Sequence, residues 1–107
     1  MTEIFHPNEF RLSKILYALA DFSRLSLVKE IIQETEIAST GFTSVEAARG
    51  TIAFHLKILR LAGITRTRLD GNRRMITLRR HTMDNCFPGL LDAILAASTP
   101  AKPGDQA

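Results

Sequence analysis

The chain has little with which to brace itself or to catalyse. Among its 107 residues there is one cysteine, Cys86, so neither an internal disulfide framework nor a multi-cysteine zinc site can be built. No apolar run is long enough to span a bilayer, and the N-terminal residues lack the pattern of a signal peptide. A cytoplasmic protein without a membrane partner is expected. There is no glycine-rich phosphate loop, no Ser/His/Asp set in plausible proximity and no pair of carboxylates around a cleft, which argues against an enzyme. Internal repeats are absent. Metal ligands are sparse as well. The last segment offers His81, Asp84, Cys86 and Asp92 without a His-x-x-His or His-x-x-Glu pair, whereas a metal wants three or four converging groups. No metal and no cofactor are expected; two symmetry-related sets of His81, Asp84 and Asp92 meeting across a dimer are the one route left open.

What the chain does have is polarised charge. Between Arg49 and Arg80 lie nine of the fourteen Lys/Arg residues (Arg49, Lys57, Arg60, Arg66, Arg68, Arg73, Arg74, Arg79, Arg80) and a single acid, Asp70, a formal +8. The remainder sums to −5, so the overall +3 conceals the asymmetry. A solvated charged face is the plain explanation of a basic run. A polyphosphate partner is the sharper one, because neutralised phosphates release condensed counterions. Local pattern favours the second.

Apolar spacing predicts a first helix capped by Asn8 and running to Leu19 or Ala20, with Leu12, Ile15, Leu16 and Leu19 on one stripe. Asp21 is placed to cap a second helix, whose buried face is Leu25, Val28 and Ile32 flanked by Leu27 and Ile31. That helix fades at Glu34–Glu36, and Ser39-Thr40-Gly41 breaks the chain. Thr43 and Glu46 form a candidate capping box for a short helix over Ser44–Ala48. From Arg49 a sharper helix runs to Gly63, a good C′ residue. It has Ile52, Leu56 and Leu59 on one side and Ala53, Phe54, Lys57 and Arg60 away from it. A phenylalanine opposite the apolar stripe has a use if it meets a thymine methyl in a major groove.

Ile64–Leu69 and Arg74–Arg79 flank Asp70-Gly71-Asn72-Arg73, a hairpin signal. A last helix is expected from Pro88 to Ala97, apolar nearly all round, which argues for burial by a partner. Residues 1–8 read as an arm, 9–97 as the domain, and 98–107, with two Pro and a Gly, as a disordered tail. The order α-α-α-α-β-β-α, a helix-turn-helix followed by an arginine-tipped ribbon, is a mainly helical winged helix. Cys86 stands near the expected start of the last helix, where a helix N-terminus lowers a thiol's pKa. It is the one redox candidate, although free cysteines mostly act as small buried hydrophobes, the reading preferred here.

Four stretches taken in order sharpen this: Leu16-Tyr17-Ala18-Leu19-Ala20-Asp21 through Arg24-Leu25, Thr51 through Arg60, Ala62-Gly63-Ile64, and the wing from Arg66-Thr67-Arg68 to Gly71. Over residues 12–97 the chain resembles the ArsR/SmtB-type winged-helix transcriptional regulators of bacteria. The ending Phe87-Pro88-Gly89-Leu90-Leu91-Asp92 is similar to a branch of that family without an evident metal site. The resemblance implies a homodimer built from the first and last helices, with Leu12, Leu16, Leu19, Leu90, Leu91, Ile94 and Leu95 at the interface. It implies a repressor binding double-stranded DNA at an inverted-repeat operator, released by a small-molecule effector of unknown identity. Carried over, the recognition-helix contacts are Arg49, Gly50, Thr51, Ala53, Phe54 and Lys57, to which the helical projection adds Arg60. The wing contacts are Arg68, Arg73 and Arg74. Three departures stand out: Phe22 where the family has proline, Phe54 where it has a polar residue, and no paired cysteines before the recognition helix. A protein-interaction module that has lost DNA binding, with Phe54 and Leu61 as its sticky surface, is the competing reading. RNA binding wants more exposed aromatics than the basic window offers.

Overall fold

The computed structural model describes residues 7–98; of the arm expected over 1–8 and the tail expected over 98–107, residues 1–6 and 99–107 lie outside the described residues. Its elements are α1 (Pro7–Leu19), α2 (Phe22–Glu34), β1 (Glu36–Ala38), α3 (Arg49–Leu61), β2 (Thr65–Asp70), β3 (Arg73–Leu78), α4 (Arg80–Cys86) and α5 (Leu90–Ala97). The order is therefore α-α-β-α-β-β-α-α, not α-α-α-α-β-β-α. α1 begins at Pro7, so Asn8 lies inside the first turn and does not cap it; proline suits that position because its missing N–H is not needed there. Asp21 caps α2 as expected, its carboxylate accepting the Arg24 N–H at 3.0 Å.

The core gathers Ile15, Ala18 and Leu19 of α1, Leu27, Val28 and Ile31 of α2, and Leu56 and Leu59 of α3 against Ile37, Ile64 and Ile76 of the sheet region, closed by Met83 and Leu91. The α2 face differs by one step from the sequence expectation. Ile32 is 39% exposed and Leu25 only partly buried, because the inward row runs Arg24, Leu27, Val28, Ile31.

α3 ends as its sequence dictates. The Gly63 N–H reaches the Arg60 carbonyl and the Ile64 N–H the Leu59 carbonyl, both at 3.0 Å, with Gly63 at φ +86°. That is a Schellman closure, and it turns the chain directly from α3 into the wing. β2 and β3 pair antiparallel with Asp70 opposite Arg73, leaving Gly71-Asn72 as a two-residue loop with Gly71 at φ +64°, the glycine-first arrangement of a tight hairpin. β1, which the sequence did not announce, adds to the other side of β3 in the order β1-β3-β2. Three residues are too few for alternation to register.

The expected helix over Ser44–Ala48 does not form. Glu30 on α2 explains why. Its carboxylate takes the Thr43 N–H (2.9 Å), the Thr43 hydroxyl (3.0 Å) and the Ser44 N–H (2.9 Å). Thr43 thus donates its hydroxyl to Glu30 instead of accepting as a cap, and buried Phe42 anchors the start of the loop. Partial burial alone raises the Glu30 carboxyl, but the hydrogen bonds from Ser44 and Thr43 together outweigh it and hold the group below its ordinary value of 4.5. A carboxyl depressed on folding stabilises above its unfolded pKa and loses that contribution as the pH falls through the folded one. Glu30→Gln is therefore expected to cost about 1 kcal/mol at neutral pH, the scale of a lost capping carboxylate. It should also flatten the loss of stability below pH 4.5 relative to wild type, as read by denaturant melts across an acid series.

The C-terminal part also departs from expectation. Residues 80–86 are helical, and α5 starts at Leu90 with Gly89 as its cap, so Pro88 lies in the intervening turn. Met83, 2% exposed, gives α4 its inward anchor, and Phe87 packs against the core. Cys86 accordingly ends α4 and does not begin α5, which removes the helix N-terminus from its redox argument. Ser98 belongs to the fold and not to a tail: its hydroxyl bonds the Leu95 carbonyl and its own carbonyl accepts from Lys29, both at 2.9 Å.

Candidate nucleic-acid interface

α3 is held by its inner face and shows its outer one. Leu56 and Leu59 are buried and Ile52 packs beside them, while Arg49, Gly50, Thr51, Ala53, Phe54, Lys57 and Arg60 are all exposed. Its orientation is fixed by Arg24, itself only 7% exposed. Arg24 Nε donates to the Ala18 carbonyl at 2.6 Å, and one terminal nitrogen lies 3.0 Å from His55 Nδ1. Arginine has no acceptor, so the His55 ring nitrogen must be the acceptor there. The guanidinium also sits 5.5 Å from the centre of the Tyr17 ring. One side chain thus ties the end of α1, the start of α2 and the middle of α3.

The N-terminus of α3 is open. Ala48 is its cap and makes no side-chain cap bond, and the first turn carries no acid. A Cβ at Gly50 would meet nothing within 4 Å. The fold therefore does not require glycine at this position, where it costs about 1 kcal/mol against alanine in a helix. Phe54 is 58% exposed with its ring 5.8 Å from that of His55.

The wing stands beside this face. Its residues alternate: Thr65, Thr67, Leu69, Arg74, Ile76 and Leu78 share one side of the β2–β3 ribbon, and Arg66, Arg68, Arg73, Met75 and Thr77 the other. Between α3 and the first of these sides runs an open groove of about 650 Å³. Of the expected DNA-contacting residues, Arg49, Ala53, Lys57, Arg60 and Arg74 line it together, whereas Gly50, Thr51, Phe54, Arg68 and Arg73 do not.

Arg68 is engaged elsewhere. Its Nε and one terminal nitrogen each lie 2.7 Å from an oxygen of Glu36 on β1, a two-pronged ion pair that crosses β3. The hydrogen bond from Arg68 holds the Glu36 carboxyl below its ordinary 4.5, and Glu36 raises Arg68 in turn. The pair therefore persists across the neutral range and dissolves only in acid, as Glu36 protonates below 4.5. Glu36 escaped the sequence reading because the strand that carries it did. In the free protein Arg68 is held by Glu36, so Arg68→Ala removes no phosphate contact and should leave the salt slope unchanged, while the bared Glu36 carboxylate lowers DNA affinity modestly. Glu36→Gln should instead free the guanidinium for a phosphate, steepening the salt dependence of binding by about 0.9 per protomer. A mobility-shift salt series on both variants measures the difference.

Near α5, Arg80 donates to Asp84 at 3.1 Å and to Asp92, so both carboxylates of the conceivable cross-dimer metal set are engaged by a guanidinium. His81 pairs with Asn85 at 3.1 Å. No group of three or more His, Cys, Asp or Glu among the described residues is arranged to hold a metal ion. The apolar residues expected at a dimer seam divide. Leu19 and Leu91 are spent in the chain's own core, Leu12, Leu90, Ile94 and Leu95 are half-buried, and Leu16 is 45% exposed. None of the described helices is long and apolar enough to cross a membrane.

No family model matches the sequence. The chain is, however, 31% identical over 84 residues to a protein of Bacillus subtilis (strain 168), the uncharacterized HTH-type transcriptional regulator YceK, a similarity covering 77% of this chain and 84% of that one. With a helix that bares a basic face and a hairpin that follows it, the chain belongs to the HTH-type transcriptional regulators.

Proposed function

We propose that the protein is a homodimeric, sequence-specific regulator of the ArsR/SmtB branch, a cytoplasmic repressor that binds an inverted-repeat operator. The observation that carries the DNA-binding part is the outer face of α3. It is exposed from Arg49 to Arg60 and continuous with an arginine-bearing groove against the wing. An α-helix of this kind fits a major groove, and the wing tip, with exposed Arg73 and Arg74, reaches the neighbouring backbone or minor groove. Gly50, which the fold leaves free, allows a phosphate to approach the open start of α3. The apolar residues left incompletely covered on α1 and α5, Leu12, Leu16, Leu90, Ile94 and Leu95, support pairing of two copies. A two-fold dimer would present two copies of α3 to half-sites about one helical turn apart.

Mobility shift against the DNA upstream of the protein's own gene, in competition with random duplex, tests this directly. Thr51→Ala and Phe54→Ala are expected to change preference among operator sequences by about 1–3 kcal/mol for each base-edge interaction removed, with little effect on random DNA. Equal losses on specific and random duplexes would contradict a base-reading role for α3. Sedimentation at micromolar concentration should find a dimer; a stable monomer would overturn the two-fold arrangement.

A further inference from the structure

The groove between α3 and the wing is more than a basic surface, because its floor is apolar. Phe42, Ile52, Leu56 and Ile76 form that floor, and Phe42, Leu56 and Ile76 are members of the buried core. Its rim is cationic: Arg49, Lys57 and Arg60 from α3, and Arg74 from β3. Among the described residues none of these four makes a side-chain hydrogen bond or an ion pair, in contrast to Arg68 and Arg80 nearby in sequence. Ser39, Thr40 and Thr67 add hydroxyl or backbone polar groups at the edges. DNA phosphates account for the rim and not for the floor, since a phosphodiester gains nothing from phenylalanine and isoleucine beneath it.

We infer that this groove binds an amphipathic organic anion, a flat or chain-like hydrocarbon bearing a carboxylate or sulfonate, and that such a ligand excludes DNA. The volume of about 650 Å³ falls in the range of small-molecule sites, which are mostly apolar with a few placed polar groups. The hydrocarbon part lies on Phe42, Ile52 and Ile76, removed from water. The acid group meets Arg74 and the cations of α3 at the mouth, where no carboxylate of the protein competes. Ligand and operator then claim the same unpaired cations, so occupation by one lowers the affinity for the other by the same factor. Binding of the anion stands on the groove alone; exclusion of DNA rests on the function proposed above.

The probe is 8-anilinonaphthalene-1-sulfonate, read by fluorescence with the full chain at neutral pH. N-phenyl-1-naphthylamine, the same ring system without the sulfonate, and inorganic sulfate serve as comparisons. The sulfonate is expected to bind once per chain and at least tenfold more tightly than the neutral amine, while sulfate displaces it only at far higher concentration. Thr67→Trp, which fills the groove from β2, should abolish binding while leaving the circular dichroism spectrum unchanged, and Arg74→Gln should weaken binding at least fivefold. Equal binding of charged and neutral rings, or sulfonate binding that survives in a folded Thr67→Trp, overturns the site. Displacement of the sulfonate by operator DNA supports the regulatory part. A protein that binds the sulfonate but no DNA at any salt keeps the site and refutes the DNA-binding reading instead.

Discussion

Replacing Arg49, Lys57, Arg60 and Arg74 together by alanine is expected to remove most DNA binding at physiological salt without unfolding the protein. All four line the groove, and none of their side chains makes a hydrogen bond or ion pair within the described residues, so the fold loses little with them. Each phosphate contact contributes about 0.9 to the slope of log affinity against log salt. Four per protomer therefore amount to about 3.6, and a dimer to about twice that. The wild type should lose about a thousand- to a hundred-thousandfold in affinity between 50 and 200 mM salt, the behaviour of six to ten contacts. The quadruple variant should bind weakly even at 50 mM and depend on salt only slightly. A parallel loss from four alanines placed at exposed residues of α2 would show that the groove is nothing special.

Arg24→Ala is expected to be the most damaging single change for stability outside the apolar core. Truncation strips the donor from the Ala18 carbonyl and from His55 Nδ1, and a buried acceptor left without a partner costs about 1–3 kcal/mol. A total near 3 kcal/mol corresponds to a fall in melting temperature of about 10–20 °C for a domain of this size. Arg24→Lys should recover little of it, because a single ammonium on a flexible stem cannot bridge both acceptors with the fixed fork of a guanidinium. Operator affinity should fall as well, although Arg24 lies inside the protein, since the tilt of α3 depends on it. A melting temperature within about 3 °C of wild type would mean that packing alone seats α3.

Much of this was legible in the residues. α3 from Arg49 to the Gly63 closure, the turn at Gly71 and the Asp21 cap each follow from signals confined to a few neighbouring positions: a 3.6-residue period, a residue tolerant of positive φ, a carboxylate at a helix start. The exposure of Phe54 followed from the same period. Such features are local, and a sequence states local preferences directly.

What failed to show in the sequence depends on partners distant along the chain. The capping box at Thr43 was a sound local proposal, yet Glu30, thirteen residues earlier, took the Thr43 N–H and made its hydroxyl a donor, leaving an irregular loop in place of a helix. β1 exists because β3 offers it an edge, not because Glu36-Ile37-Ala38 prefers to be extended. Its arrival brings Glu36 to Arg68 across 32 positions and removes one arginine from the free charge of the wing. Arg24 presents the same case. In the sequence it is one more basic residue on a helix; in the fold it is the buried link on which the orientation of α3 depends. The residues alone determined that a basic helix and hairpin would form and which side chains of the helix would face outward. Tertiary structure decided which of those charges remain unpaired, because pairing depends on distances between segments that no local pattern encodes.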